Sequence, residues 1–282
     1  MNDNYNYTVI IPYRDTFNLL QKAIESIPDR KDIQIIVVDN SIEPISVDCL
    51  PQKAFSQLEF FISDPTKGAG RARNVGITHA KGRYLVFLDA DDYFTADAFS
   101  AFDRYIDQDF DIVFFDADSI RLKDGLPSKR NWKIHQYIQD YFVSGDEGIL
   151  RYRFVNPIAK IIRTDMVMNN NIRFEEVSVS NDVMFSVITG HCAKNISASA
   201  DVVYMITEGE SGTSLTKTHS QRNEFVRFQV SVRRYKFMTS IGQKRYRPRL
   251  FGALRIALMY FGPKELFRYI RYAYCNKVNV FS

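Results

Sequence analysis

Tyr84-Leu-Val-Phe-Leu-Asp-Ala-Asp-Asp92 is an uncharged run that stops abruptly at three acids. Five apolar residues in succession fit a strand buried on both faces of a sheet. The carboxylates that follow repel one another, so something positive has to offset them. Divalent Mg²⁺ and Mn²⁺ favour oxygen ligands, commonly one or two carboxylates together with substrate phosphates. Asp89-Ala90-Asp91 therefore reads as a candidate metal-diphosphate site. The bland reading is a solvated turn in which Asp92 caps a helix starting near Thr95.

Working towards the N-terminus, Gly82 breaks a helix expected over Ala69 to Ala80. Before it come Leu58 to Ile62, a weak strand, and Ile33-Gln-Ile-Ile-Val-Val-Asp39, a strong one ending in an acid. Tyr7-Thr-Val-Ile-Ile-Pro12 is another short buried strand, followed by helical spacing over Phe17 to Ser26. Strands alternating with helices predict an α/β fold with a mainly parallel sheet covered on both faces. Ligands of such sheets collect at the carboxyl ends of the strands, where Asp39, Asp89 and Asp91 would converge.

Working towards the C-terminus, Asp111 to Phe115 reads as a fifth strand. The loop-rich stretch Asp116 to Asp146, with Gly125, Pro127 and Trp132, suits a substrate wall. Residues 158–176 suggest a strand, a short helix and a turn; Asn181 to Ala193 an amphipathic helix; and Val202 to Ile206 a late strand. Thr207 to Thr218 is rich in Gly, Ser and Thr and is a candidate lid.

The 282 residues, 45% of them hydrophobic, can bury a sizeable core, which argues against disorder. Three scattered cysteines and an N-terminus without a basic segment leading into an apolar one suggest a reducing, cytoplasmic setting. Charge is uneven. Residues 1–220 carry 23 Lys/Arg against 31 Asp/Glu, a net of −8, whereas residues 221–282 carry 14 against 2, a net of +12. The expected division is a catalytic domain over 1–220 and a basic, aromatic-rich helical extension over 221–282.

Gly68-Ala-Gly-Arg-Ala-Arg-Asn-Val-Gly, running on through Gly82 to Asp92, resembles the signature of the family 2 glycosyltransferases. Tyr7 to Asp15 and Ile35 to Ser41 are similar to that family's first two strands, with Asn40 standing where a second acid is usual. The resemblance implies the Rossmann-like GT-A fold, an inverting transfer from a nucleoside-diphosphate sugar, and Mn²⁺ or Mg²⁺ as cofactor. It implies that Asp39 meets the nucleobase, that Asp89 sits near the ribose, that Asp91 binds the metal, and that Arg71 neighbours the nucleotide. Pro12 and Ala90 complete the expected donor set. Arg73 and Asn74 read as structural residues fixing their helix against the sheet. Asp182, at an expected helix start, matches the acid that takes the acceptor's proton, while its usual acidic partner is Asn181 here. His219, beside the lid-like loop, is a candidate for holding the diphosphate.

By the same resemblance, the donor is expected to be UDP-linked and the acceptor a glycan or lipid-linked saccharide of surface polysaccharide synthesis. In the tail, Lys264, Arg268 and Arg271 share one helical face and Leu266, Ile270 and Ala273 the other. The alternatives are an anionic membrane surface, a helical appendage packed on the sheet with its basic side solvated, and a nucleic-acid patch; a lipid-linked acceptor would make the membrane useful, which favours a peripheral position on the inner face. Two other functions fit the acids less well: a haloacid-dehalogenase-like phosphatase, and an inactive scaffold that binds a nucleotide sugar.

Overall fold

The computed structural model describes residues 5–50, 58–209 and 220–280. Apolar, β-branched runs make the first strands: β1 (Tyr7–Tyr13) and β2 (Ile33–Asp39) are buried along their whole length. Between them α1 (Phe17–Glu25) turns Leu20, Ala23 and Ile24 inward. Next come β3 (Leu58–Ile62), α2 (Gly68–His79), β4 (Tyr84–Phe87) and the two-residue β5 (Tyr93–Phe94). The remainder of the sheet and its cover are α3 (Ala98–Asp103), β6 (Ile112–Arg121), α4 (Trp132–Ser144), β7 (Lys160–Arg163), α5 (Thr164–Asn169), α6 (Asp182–Cys192) and β8 (Ile196–Glu208).

Among the described residues the eight strands lie in the order β3-β2-β1-β4-β7-β6-β8-β5. β3, β2, β1 and β4 are mutually parallel, as are β6 and β8; β7 and β5 run antiparallel to their neighbours. This is the mixed, largely parallel α/β architecture that the alternation of elements predicts. Gly82 makes the entry to β4 possible, because a Cβ there would lie 2.4 Å from the Tyr7 carbonyl carbon of β1.

Two expectations need correction. Asp116 to Asp146 is not mainly loop: β6 runs on to Arg121 across a bulge near Asp116, and α4 fills the second half. Nor does Asp92 cap a helix, since α3 begins at Ala98 and the Asp92 side chain is buried in other contacts. Of the candidate lid Thr207 to Thr218, Thr207 and Glu208 belong to the end of β8, and residues 210–218 lie, with His219, outside the described residues.

The C-terminal helices α7 (Gln221–Ser240), α8 (Phe251–Phe261) and α9 (Pro263–Cys275) bury a cluster of their own around Phe228, Leu254 and Tyr269. Leu266 and Ile270 pack against it, while Lys264, Arg268 and Arg271 face outward. The extension is tied to the sheet domain by Arg233 on Glu175, 2.5 Å, and by Arg234 donating to the Tyr152 carbonyl, 2.6 Å.

Candidate active site

The carboxyl ends of β1, β2 and β4 form one edge, and the predicted acids lie along it. Asp39 ends β2 in register with Tyr13 of β1 and is fully buried. Its Oδ1 accepts from Ser41 N at 2.7 Å and its Oδ2 from Ile45 N at 2.9 Å, so the carboxylate shapes the loop that follows the strand. Asn40 explains itself here. Its amide donates to Ser63 Oγ and the Asp64 carbonyl, clasping the ends of β2 and β3, which an aspartate could not do. Pro12 is buried within β1.

Beyond β4 the three acids part company. Asp92 turns inward: its Oδ2 accepts from the Tyr204 hydroxyl at 2.9 Å and its Oδ1 from Thr207 N at 2.7 Å, both on β8. Burial, then the charges of Asp91 and Asp89, pushes the Asp92 carboxyl well above the usual range. The same Tyr204 hydroxyl accepts from Asp89 N, 3.0 Å, so one phenol braces the whole turn. Ala90 is buried, whereas Asp91 reaches solvent. The Asp91 carboxyl is raised by the protein mass around it and secondarily by Asp89, with Arg130 and Arg73 pulling the other way.

Asp89 is held from the opposite side. Arg73 on α2, almost wholly buried, places Nη2 2.6 Å from Asp89 Oδ1 and Nη1 2.8 Å from Asn181 Oδ1. Its guanidinium also lies over the Phe174 ring, 5.3 Å from the centroid. Asn74, beside it, exchanges two hydrogen bonds with the Phe174 backbone, 2.9 and 2.8 Å. Gly70 completes this packing, since a Cβ there would fall 2.1 Å from the Glu175 carbonyl oxygen. Arg71 points outward and pairs with Glu176 at 3.3 Å, as Lys67 does.

Asp182 opens α6, just after Ser180 adopts a left-handed φ of 57° and Asn181 takes the cap position. Enclosure raises the Asp182 carboxyl, with Asp89 adding to the rise, while the charges of Arg73 and Lys160 oppose it. Lys160 on β7 is itself buried, donates to the Phe154 carbonyl at 2.7 Å, and is pulled down to about 7 by desolvation. Arg73 thus contacts Asp89 directly and is felt as a charge at Asp182, and Asp91 feels both Asp89 and Arg73.

Arg73 was not expected to link the acids, Thr207 was expected only to open the lid, and Tyr204 and Arg130 were given no site role. Arg73 had a legible signal: Gly70, Arg73, Asn74 and Ile77 fall at i, i+3, i+4 and i+7 on the buried face of α2. Tyr204 and Thr207 had none, being joined to Asp92 across more than a hundred residues.

A family model described as "Glycosyl transferase family 2" matches residues 8–166, which span the edge from β1 through β7. The chain belongs to that family. Among relatives of this glycosyltransferase, TarS of Staphylococcus aureus strain MW2, a poly(ribitol-phosphate) beta-N-acetylglucosaminyltransferase, is 21% identical over 78% of the chain and 38% of its own length. GgaB of Bacillus subtilis strain 168, a minor teichoic acid biosynthesis protein, is 30% identical over 61% of the chain and 19% of its own length. The chain therefore spans well under half of either relative. The solved structure of TarS 1–349 with UDP-GlcNAc superposes at a TM-score of 0.61 with 17% identity, covering 96% of this chain and 73% of that one. The mannosyltransferase PcManGT of Pyrobaculum calidifontis, in complex with GDP-Man and Mn²⁺, superposes at 0.55 with 13% identity, covering 96% and 76%. Both likenesses speak for the GT-A fold. The phosphatase alternative loses its ground, because the DxD follows the fourth strand of a glycosyltransferase sheet.

Proposed function

We propose that this glycosyltransferase moves a sugar from a UDP-linked donor to a hydroxyl of a surface glycan or lipid-linked saccharide, with inversion at the anomeric carbon. The observation that carries the reading is the Arg73 bridge, which couples Asp89 at the donor edge to the N-terminus of the Asp182 helix. Asp182 accepts the acceptor's proton as that oxygen attacks C1, and the bond from C1 to the β-phosphate oxygen breaks, leaving UDP with the electron pair. Asp89 serves the ribose, and Arg71 and Arg73 supply positive charge near the phosphates. Asp39 contributes through the loop it shapes, which forms the wall facing the base.

The acids fit a divalent ion of the Mg²⁺ or Mn²⁺ type. The raised carboxyl of Asp91 reaches solvent and marks a place where a cation lowers the energy. Among the described residues no three His, Cys, Asp or Glu side chains form a ready-made cage, as suits an ion held by one carboxylate, phosphates and water. Bound there, such an ion would neutralise the leaving diphosphate.

The helical extension supports a position at the cytoplasmic face of an anionic membrane. Its two acids, Glu224 and Glu265, are both buried and ion-paired, to Arg227 and Arg268, so basic groups dominate its outside. Phe251, Leu258, Met259 and Tyr260 of α8 and Phe267 and Tyr274 of α9 stand exposed beside Arg255, Lys264 and Arg271. Among the described residues no helix is long and apolar enough to cross a membrane.

The test is thermal stabilisation by UDP-glucose, UDP-galactose, UDP-N-acetylglucosamine and GDP-mannose, with and without Mn²⁺, followed by assay of released nucleotide. A metal-dependent rise in Tm with one UDP-sugar, together with release of UDP, is the expected result. Binding without turnover in the presence of saccharide acceptors would instead mark an inactive scaffold.

A further inference from the structure

Trp132, the chain's only tryptophan, is 57% exposed on the first turn of α4. A solitary exposed apolar side chain needs no explanation, but this one has organised polar company. One turn along the same face, His135 sets Nδ1 2.6 Å from Oδ2 of Asp116, while most of its ring faces solvent. Asp116 is buried, and its other oxygen accepts from Ala117 N at 2.8 Å, so a fixed carboxylate sets the orientation of the imidazole and leaves the Nε2 edge outward.

The residues just before Trp132 tether this turn to the DxD edge. Asn131 donates to the Ala117 carbonyl and accepts from Ser119 Oγ, both on β6. Arg130 Nη1 donates to the Thr207 carbonyl at 2.8 Å, and Thr207 Oγ1 donates to the Asp91 carbonyl at 2.5 Å. The Arg130 charge is felt at the Asp91 carboxyl. From the acid that neighbours the departing phosphate, two hydrogen bonds and two residues of chain thus lead to an open indole with a fixed hydrogen-bonding group beside it. Pyranose rings present one apolar C–H face and a rim of hydroxyls, which an aromatic face and a directed imidazole match.

We infer that Trp132 and His135 form the acceptor subsite, the indole stacking on a saccharide ring and His135 hydrogen-bonding one of its hydroxyls. The inference rests on the sugar-transfer reading and adds to it the surface that receives the acceptor. Both are binding residues, and neither touches the reacting bond.

With one tryptophan in the chain, its fluorescence reports on this position alone. The full chain, saturated with UDP and Mn²⁺, is titrated with lactose, cellotriose, N,N′-diacetylchitobiose and ribitol 5-phosphate. A saturable change in emission with at least one probe is expected. For that probe as acceptor, Trp132→Ala raises KM about tenfold or more, Trp132→Phe recovers most of the loss, and His135→Leu raises KM by several-fold, as expected for one lost hydrogen bond. UDP affinity, read by calorimetry, stays unchanged in all three variants. Emission unmoved by every probe, or a loss of UDP affinity in Trp132→Ala, overturns the subsite. Failure of the unmodified chain to bind UDP at all overturns the donor reading instead, so the two failures are distinguishable.

Discussion

Nη2 of Arg73 lies 2.6 Å from Oδ1 of Asp89, and the other terminal nitrogen of the same guanidinium lies 2.8 Å from Asn181. One rigid fork therefore fixes the acid end of β4 against the start of α6. A lysine offers a single ammonium and cannot span both. Arg73 also pulls down the carboxyl of Asp182 against the effect of burial. Arg73→Lys should let that carboxyl rise further, so the acid limb of a kcat–pH profile should move to higher pH. A limb at the wild-type position would disconnect Arg73 from the base.

Asp91→Ala should remove metal-dependent donor binding and leave the fold intact, because the side chain reaches solvent and makes none of the contacts that brace the turn. Calorimetric titration with UDP, run with and without Mn²⁺, checks this. An unchanged Mn²⁺-dependent affinity would assign the metal elsewhere.

Asp182→Asn should spare UDP binding and lower transfer by roughly 10²- to 10⁴-fold, the usual weight of a general base. In the unmodified chain the Asp182 carboxyl is raised, and only its ionised form can accept a proton. Transfer should therefore fall as pH drops through a value higher than this carboxyl's ordinary one. Undiminished turnover in the variant reassigns the base.

Asp92 makes a structural prediction. Losing it leaves Thr207 N and the Tyr204 hydroxyl without their buried acceptor, at a cost of about 1–3 kcal/mol each way the site is emptied. Asp92→Ala should show that loss in urea unfolding. Because the folded state raises this carboxyl, the stability it contributes is full below the ordinary carboxylate range and declines as pH rises through the folded value. Asp92→Asn, fixed in a neutral form, should gain on the unmodified chain with rising pH. A difference independent of pH contradicts the assignment.

Co-sedimentation with vesicles tests the extension. Binding to phosphatidylglycerol vesicles should exceed binding to phosphatidylcholine vesicles and weaken as salt is raised from 0.05 to 0.5 M, a range that shortens the screening length severalfold, to a few ångströms. Phe267→Ser with Tyr274→Ser should lower it further, both side chains being exposed on α9. Equal binding to the two vesicle types rules the surface out.

Where burial was continuous, the fold could be read residue by residue. β2 and β3 have the limits that their sequence suggests, and α2 is displaced by one residue. Asp116 to Ser144 was opaque for two physical reasons. The second half of β6, Asp116 to Arg121, carries polar residues and re-registers against β8 across a bulge, so it shows no apolar run. α4 buries only Ile134 and Ile138 among its thirteen residues, which leaves too thin an apolar stripe to notice. Asp39, Asp89, Asp91 and Asp182 could be singled out because acids at strand and helix ends are conspicuous. What holds them was hidden, since Tyr204, Thr207 and Asn181 meet their partners only after the sheet has formed.

The burial of Glu224 and Glu265 has one more consequence. No histidine follows His219, so the outside of α7, α8 and α9 displays lysine and arginine, which keep their charge throughout the physiological range. Acidification that would silence a carboxylate such as Asp182 leaves this surface untouched. On the proposed function, adhesion and chemistry answer to separate controls: ionic strength and lipid composition would govern where the enzyme sits, and proton activity how fast it turns over.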